Sequence, residues 1–494
     1  MDVRAALEQA LDLHRQGRLA DAERLYSEVL QVAPGEANAL HLLGVVAMQA
    51  GDLPRALALM DRALASSPLM AGVHYNRGVV LRGLERPTDA IASFDAAIAL
   101  KADYAEAFSG RGAALHDLHR LTEAAESFAR AIALNPRNAD AYSNQAKVLL
   151  DLGRPRDAIA QCDKAIALSP GFAEGYVNKS LSLLTLGEYK QGFELYEWRA
   201  AVVPSIGARA GGRPQWTGPE DVSGKTVFLT WEQGFGDTIQ FVRYAPLLAQ
   251  RGARVVLEVQ PELHRLLARL SGVDRVVARG DKLPPFDLHC PLMSLPHAFK
   301  TTVASIPAQT PYLSIAHPQR AKWAGVLPAG KPLVGICWAG EKSHRNDVNR
   351  SVPLASFAKL WDGVDAHIVS LQYRPDDEAR AFLRACGNVT ETSERLEDFV
   401  DTAALISCLD VVVTADTAVA HLAGALSVPT IVMLPRSADF RWLRMRDDSP
   451  WYPTVKLFRH PAHKDWDAVV VAVRQNLLNN FCVRRTAEAS CAGL

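Results

Sequence analysis

Residues 105–136 read AEAFSGRGAALHDLHRLTEAAESFARAIALNP, and residues 139–170 read ADAYSNQAKVLLDLGRPRDAIAQCDKAIALSP. The two stretches superpose at an interval of 34 residues, and the register extends both ways along the chain. Proline recurs at Pro34, Pro68, Pro136, Pro170 and Pro204, with Ala102 in the remaining slot. A small residue recurs at Ala10, Gly44, Gly78, Gly112, Ala146 and Ser180, and a second at Ala22, Ala56, Ala90, Ala124, Ala158 and Gly192. A bulkier residue follows the second series at Tyr26, Met60, Phe94, Phe128, Cys162 and Tyr196. Two antiparallel helices approach closely where both carry small side chains. The bulky residue then fills the gap to the next pair, and proline ends the second helix because it cannot continue one.

This pattern resembles the tetratricopeptide repeat and predicts an α solenoid over residues 1–204, of about six repeats. The last copy is degenerate, with Trp198 and Arg199 at positions where such residues are foreign, which marks a joint to the next domain. Solenoids of this kind bind along the face lined by the first helix of each repeat. Asn76, Asn144 and Asn178 share one position in that helix, interrupted by Leu42 and Gly110. An asparagine amide both donates and accepts, so a row of them can hold an extended peptide by its backbone. Equally, these amides can bond within or between repeats. The row resembles the asparagine ladder of O-linked N-acetylglucosamine transferases.

After Ala200 the helical period stops, and residues 205–224, rich in proline and glycine, read as a linker. Short β-branched runs then alternate with helical stretches: Thr226–Trp231, Arg254–Val259, Leu333–Trp338, His367–Leu371, Val411–Ala415 and Thr430–Leu434. That alternation predicts parallel α/β layers. A break over Val326–Pro332 divides them into two Rossmann-like lobes, 225–325 and 326–480, followed by a tail, 481–494. Neither a Gly-x-Gly-x-x-Gly after a strand nor a Walker A loop occurs, which disfavours NAD enzymes and P-loop ATPases.

Three segments carry candidate chemistry. Trp231-Glu232-Gln233-Gly234-Phe235-Gly236-Asp237-Thr238 follows the first strand and leaves Asp237 at a helix entrance, as a general base or as a cap. The loop Ala339–Ser351 follows the first strand of the second lobe and holds Lys342, His344, Arg345 and Arg350, which suit a diphosphate or a solvated surface. Asp416-Thr417-Ala418-Val419-Ala420-His421-Leu422 opens a helix of small residues, whose free amides suit a phosphate. His421 also fits a packed core histidine. The aromatic segment Asp439–Pro453 reads as a rigid packed loop, and Asp465-Trp466-Asp467 falls in a terminal helix rather than after a strand.

Gly236-Asp237 and the Asp416–Leu422 motif together resemble the heptosyltransferase-like glycosyltransferases of family 9, over about residues 225–480. The joined arrangement resembles a bacterial group with tetratricopeptide arms. The resemblance implies a GT-B fold of two Rossmann-like lobes and inverting, metal-independent transfer from a nucleotide-diphosphate sugar, with no other cofactor. Asp237 matches the family's catalytic aspartate. Arg350 falls where these enzymes carry a phosphate-binding lysine, and Thr417 and Ala418 match the phosphate-binding turn, with Ala418 in place of a common glycine. The leading expectation for the acceptor is a protein or peptide docked on the solenoid; the alternatives are a glycan- or lipid-directed transferase whose solenoid recruits an assembly partner, and a non-catalytic scaffold with a degenerate GT-B domain.

Composition agrees with a globular chain: 49% hydrophobic, 22% charged, and a formal charge of +0 that gives no reason to expect nucleic acid. The 7 cysteines form no Cys-x-x-Cys pair. No apolar run approaches the roughly 20 residues of a membrane span. With no secretory segment in Met1–Gln16, the expected compartment is the cytoplasm.

Overall fold

The computed structural model describes residues 2–342, 346–460 and 465–491, with side chains described up to residue 480. The chain divides into two compact units, Met1–Lys179 and Ser180–Leu494.

The first unit is the expected solenoid. Its helix pairs are Val3–Arg15 with Leu19–Val32, Ala37–Gln49 with Leu53–Ser66, Ala71–Gly83 with Pro87–Leu100, Ala105–Asp117 with Leu121–Leu134, and Ala139–Asp151 with Pro155–Leu168. The small residues are small for the expected reason. A Cβ on Gly78 would meet the Phe94 ring at 2.7 Å, and one on Gly112 would meet Phe128 at 3.0 Å. Phe94 also lies against the next repeat, where a Cβ on Gly110 would stand 2.6 Å from its ring. Gly110 therefore interrupts the asparagine series because Phe94 occupies that space. Repeats are also locked by charge: Arg77 contacts Asp61 and the Ser93 hydroxyl, both at 2.7 Å, and Arg111 repeats this with Asp95 and Ser127.

The second unit carries two parallel sheets. The first, β1 (Thr226–Thr230), β2 (Arg254–Val259), β3 (Arg275–Ala278) and β4 (Leu288–Pro291), has the order β3-β2-β1-β4. The second holds β5 (Leu333–Cys337), β6 (His367–Ser370), β7 (Val389–Thr390), β8 (Val411–Ala415), β9 (Thr430–Leu434) and β10 (Val455–Arg459), in the order β10-β9-β8-β5-β6-β7. The strands are parallel, and the order in which they are added reverses between β1 and β4 in one sheet and between β5 and β8 in the other. Open α/β sheets bind ligands at such switch points, beyond the carboxyl ends of the strands. Asp237 follows β1, Arg350 follows β5, and Asp416 and Thr417 follow β8, so the fold delivers the candidate residues to these places.

The division between the compact units falls at Lys179/Ser180, inside the sixth repeat. The cause is burial. Tyr189, Phe193 and Tyr196, from the helix Tyr189–Tyr196, are packed into the same hydrophobic core as β1, Phe440 and Trp451. Residues 205–224 are not a free linker either, because Trp216 is fully buried and stands edge-on to Phe299 at 5.5 Å. The terminal helix Trp466–Cys491 runs past residue 480, where a tail was expected. Among the described residues no helix is long and apolar enough to cross a membrane.

Candidate functional site

The turn after β1 places Asp237 at the third position of the helix Phe235–Phe241. Its Oδ2 accepts from the backbone N–H of Gly234 at 2.8 Å, so Asp237 does cap the helix. Its Oδ1 accepts from Nη2 of Arg441, a residue of the second lobe. The Arg441 guanidinium is 8% exposed and also donates to Asp439 Oδ1 at 2.7 Å. Burial works against its charge, and the carboxylates of Asp237 and Asp439 more than offset that. Among the described residues its Nε has no hydrogen-bond partner.

The two lobes touch at a point set by a glycine. A Cβ on Gly236 would stand 2.7 Å from Cδ2 of His421 and 3.6 Å from Cα of Ala418. The helix Phe235–Phe241 thus lies against the start of the helix Ala418–Ala425. His421 itself is a buried side chain, stacked on Trp442 at 5.2 Å with Nδ1 3.0 Å from the Tyr452 hydroxyl. Burial, then the charges of Arg441, Arg243 and Arg350, hold its pKa well below the usual value, so it is neutral. It packs the site rather than facing a ligand as a cation.

Thr417 caps the helix Ala418–Ala425 by accepting from Val419 N–H at 3.2 Å. Arg350 donates to the backbone carbonyl of Asp416 at 3.2 Å and lies 3.4 Å from Asp347. It therefore spans the gap between the loop after β5 and the end of β8, passing over Gly340, where a Cβ would meet Arg350 Nη2 at 2.5 Å. The Asp416 carboxyl is pushed up to about 6 by burial and by Asp439, against the Trp442 indole, Arg350 and Arg441. Arg459 donates to the carbonyls of Trp442 and Leu443 at 2.7 and 2.9 Å, and burial lowers its pKa to about 10.

Asp237, Arg350, Asp416, Thr417, Ala418 and His421 are thus linked through Arg441, Arg350 and the Gly236 contact. Lys342 is not among them. Its side chain is 84% exposed and lies 3.7 Å from Asp376, away from the β8 end. His344 lies outside the described residues. Asp465 caps the terminal helix by accepting from Ala468 N–H, and Asp467 pairs with Lys359 at 2.9 Å. Sequence reasoning missed Arg441, Asp439 and Arg459. The signal was a pair of charges inside an aromatic segment, read as packing. The packing is real, since Trp442, Trp451 and Tyr452 are fully buried.

In the solenoid, Asn76 Nδ2 stands 2.8 Å from His41 Nε2, and Asn178 Nδ2 donates to Ser143 Oγ at 2.9 Å. These two amides bond between adjacent repeats. Asn144 is exposed.

Comparison with known proteins finds two families in the chain, one in each part of the sequence. The tetratricopeptide repeat family matches residues 7–71, 75–139, 117–173 and 143–198, and glycosyltransferase family 9 (heptosyltransferase) matches residues 297–443. The second match contains Arg350, Asp416, Thr417 and Arg441 but not Asp237. Protein FlbA of Caulobacter vibrioides is 27% identical over 309 residues, 56% of this chain and 50% of FlbA. Cellulose synthase 2 operon protein C of Komagataeibacter xylinus is 44% identical over 63 residues, 13% of this chain and 5% of that protein. The alignments therefore span half or less of these curated relatives. Among solved structures, MamA protein is 22% identical, covering 35% of this chain and 94% of its own, with a TM-score of 0.32. Pseudomonas aeruginosa pilF is 18% identical, covering 42% and 97%, with a TM-score of 0.37.

Proposed function

We propose that this chain, whose tetratricopeptide repeats precede a family 9 glycosyltransferase domain, transfers a sugar from a nucleotide-diphosphate donor with inversion at the anomeric carbon. The observation that carries the reading is the meeting of one carboxylate, Asp237, with cations and a helix start from the opposite lobe. In transfer, Asp237 takes the proton of the acceptor hydroxyl as that oxygen attacks the anomeric carbon. The bond to the diphosphate breaks with its electron pair, and charge develops on the leaving phosphate. Arg350 and the amides at the start of the helix Ala418–Ala425 stabilise that charge. Arg441, bonded to both Asp237 and Asp439, can exchange the first for a bound diphosphate, freeing Asp237 to act as base. The side chains supply the positive charge that a metal supplies in other transferases, so transfer is expected to continue in the presence of a chelator.

The acceptor in this reading is a protein or peptide held on the solenoid, and the compartment is the cytoplasm. One observation favours a second reading, transfer to a glycan or lipid-linked sugar with the solenoid recruiting an assembly partner: Asn76 and Asn178 already bond between repeats. Thermal stability against a panel of nucleoside diphosphates and their sugars tests the donor site, with Arg350→Ala beside the wild type. A donor at a hundred times its Kd adds about 2.7 kcal/mol. A shift lost in Arg350→Ala supports the reading, and a flat response across the panel in folded protein removes it.

A further inference from the structure

The end of the degenerate sixth repeat is bonded to the turn that carries Asp237. Arg199 donates through Nε and Nη2 to both carboxylate oxygens of Glu232, each at 2.8 Å. The pair is enclosed, with side chains 5% and 1% exposed. Arg199 also donates to Glu197 Oε1 at 2.8 Å and to the Ser294 hydroxyl at 2.8 Å, just beyond β4. Three residues before Arg199, the Tyr196 hydroxyl accepts from Gln233 Nε2 at 2.9 Å. From the other side, Gln260 at the end of β2 donates to the Gln233 carbonyl at 3.0 Å and accepts from the Thr238 hydroxyl at 2.9 Å. Glu232, Gln233 and Thr238 of the turn are thus each tied to a neighbouring element.

We infer that Arg199 is a positioning residue for Asp237, acting through Glu232, and that residues 189–202 are a working part of the transferase unit rather than the end of the solenoid. The inference rests on Asp237 being the base. The argument is one of geometry against burial. An enclosed ion pair gains little over an apolar pair of the same shape, because both charges lose water. What the bidentate fork adds is direction: two parallel bonds fix the carboxylate in one plane and position. Here that fixed carboxylate opens the turn whose third helical residue is Asp237. Met293 N–H also donates to Glu232 Oε1 at 3.3 Å, so the same carboxylate joins the ends of β1 and β4, the switch point of the sheet. The foreign residue at 199 in the repeat pattern has its explanation in this second partner.

The test uses the full chain. Arg199→Met with Glu232→Gln removes both charges of the enclosed pair and leaves Glu197, whose side chain is 25% exposed, with the Gln215 amide and Ser294 hydroxyl as donors, and Arg199→Lys keeps the charge without the fork. Two quantities are read: amide hydrogen exchange over residues 232–238, which needs no substrate, and nucleoside diphosphate release from a panel of UDP-, GDP-, ADP- and dTDP-sugars. The inference expects a folded double variant whose amides at Gly234 and Thr238 exchange at least ten times faster. It also expects kcat to fall at least tenfold with KM for the donor unchanged, and Arg199→Lys to restore part of kcat. Exchange within twofold of wild type overturns it, as does a loosened turn with kcat unchanged. Should the double variant not fold, Arg199→Lys decides by the same exchange and the same division between kcat and KM. Asp237→Asn runs in parallel: full turnover there removes the base, while the exchange measurement still judges the brace.

Discussion

Arg441 and Asp237 come from opposite lobes, yet the guanidinium of one lies against the carboxylate of the other, with Asp439 on its second amino group. A charge-assisted bond of this kind holds the carboxylate in one position at the end of β1, where a general base is needed. Asp237→Asn keeps the shape of the side chain and removes the base. Turnover is expected to fall by about 10²- to 10⁴-fold with donor binding retained. Steady-state kinetics and titration calorimetry on the same preparation separate the two. Equal loss of donor affinity would place Asp237 in binding instead.

Arg441→Met removes the enclosed cation that joins Asp237 and Asp439. Breaking a buried pair from one side costs roughly 3 kcal/mol or more. Part-exposure of the two carboxylates places this site at the low end of that range. Urea denaturation of the variant measures the loss, and a change under about 0.5 kcal/mol would mean that the pair contributes nothing measurable.

Asp416 gives a pH dependence with a definite sign. Its carboxyl rises from 3.8 to about 6 on folding, chiefly through burial. The folded state therefore holds the proton more tightly than the unfolded chain. This group's contribution to stability is greatest below 3.8 and is lost as pH rises towards about 6. A diphosphate beside Asp416 also favours its protonated form, so donor affinity is expected to fall as pH rises through this window. Asp416→Asn should flatten both curves between these limits, and an unchanged slope would remove Asp416 as their source.

Gly236→Ala tests the contact between the lobes. The new methyl would stand 2.7 Å from the His421 ring, which is buried and stacked on Trp442 and so has nowhere to move. Overpacking of this kind costs about 1–3 kcal/mol. Loss of turnover should accompany it, because the helices carrying Asp237 and Thr417 are pushed apart. Crystallography of the variant would show the separation, and an unshifted His421 with full activity would refute the tight contact.

The solenoid offers a stabilising change. Gly17, Gly51 and Gly153 take a left-handed turn between the helices of a repeat, with φ of 76°, 81° and 73°, and the exposed Glu85 takes the same turn at φ 58°. A side chain is strained there and glycine is not. After the greater freedom of glycine in the unfolded chain is set against this, Glu85→Gly is expected to gain roughly 0.5 kcal/mol. A urea midpoint unchanged or lowered would show that no strain is relieved.

The repeat register, the helix pairs and six of the ten strands were legible because each depends on spacing along the chain. Periods of 34 residues and runs of β-branched side chains are local patterns, and the strands found from them, such as Val411–Ala415 and Thr430–Leu434, have the bounds expected. Among the described residues, β10 and the short strands β3, β4 and β7 were not legible. Leu288–Pro291 holds a histidine and a proline, and Val389–Thr390 has two residues, too few to show a period. The placement of Asp237, Arg350 and Thr417 at strand ends followed from the motifs. That Lys342 points elsewhere did not, because a loop's composition does not fix its direction.

The sequence by itself determined which residues form helices and strands, and where the chemistry-bearing turns stand along them. Those are properties of neighbours in the chain. The tertiary structure alone decided that Arg441 meets Asp237, that Arg199 meets Glu232, and that Tyr189, Phe193 and Tyr196 leave the repeat pattern for the core of the second unit. Arg441 and Asp237 are 204 positions apart. Such charges pair only because two sheets, which share one hydrophobic core, bring them out of water together, and no pattern read along one strand contains that distance.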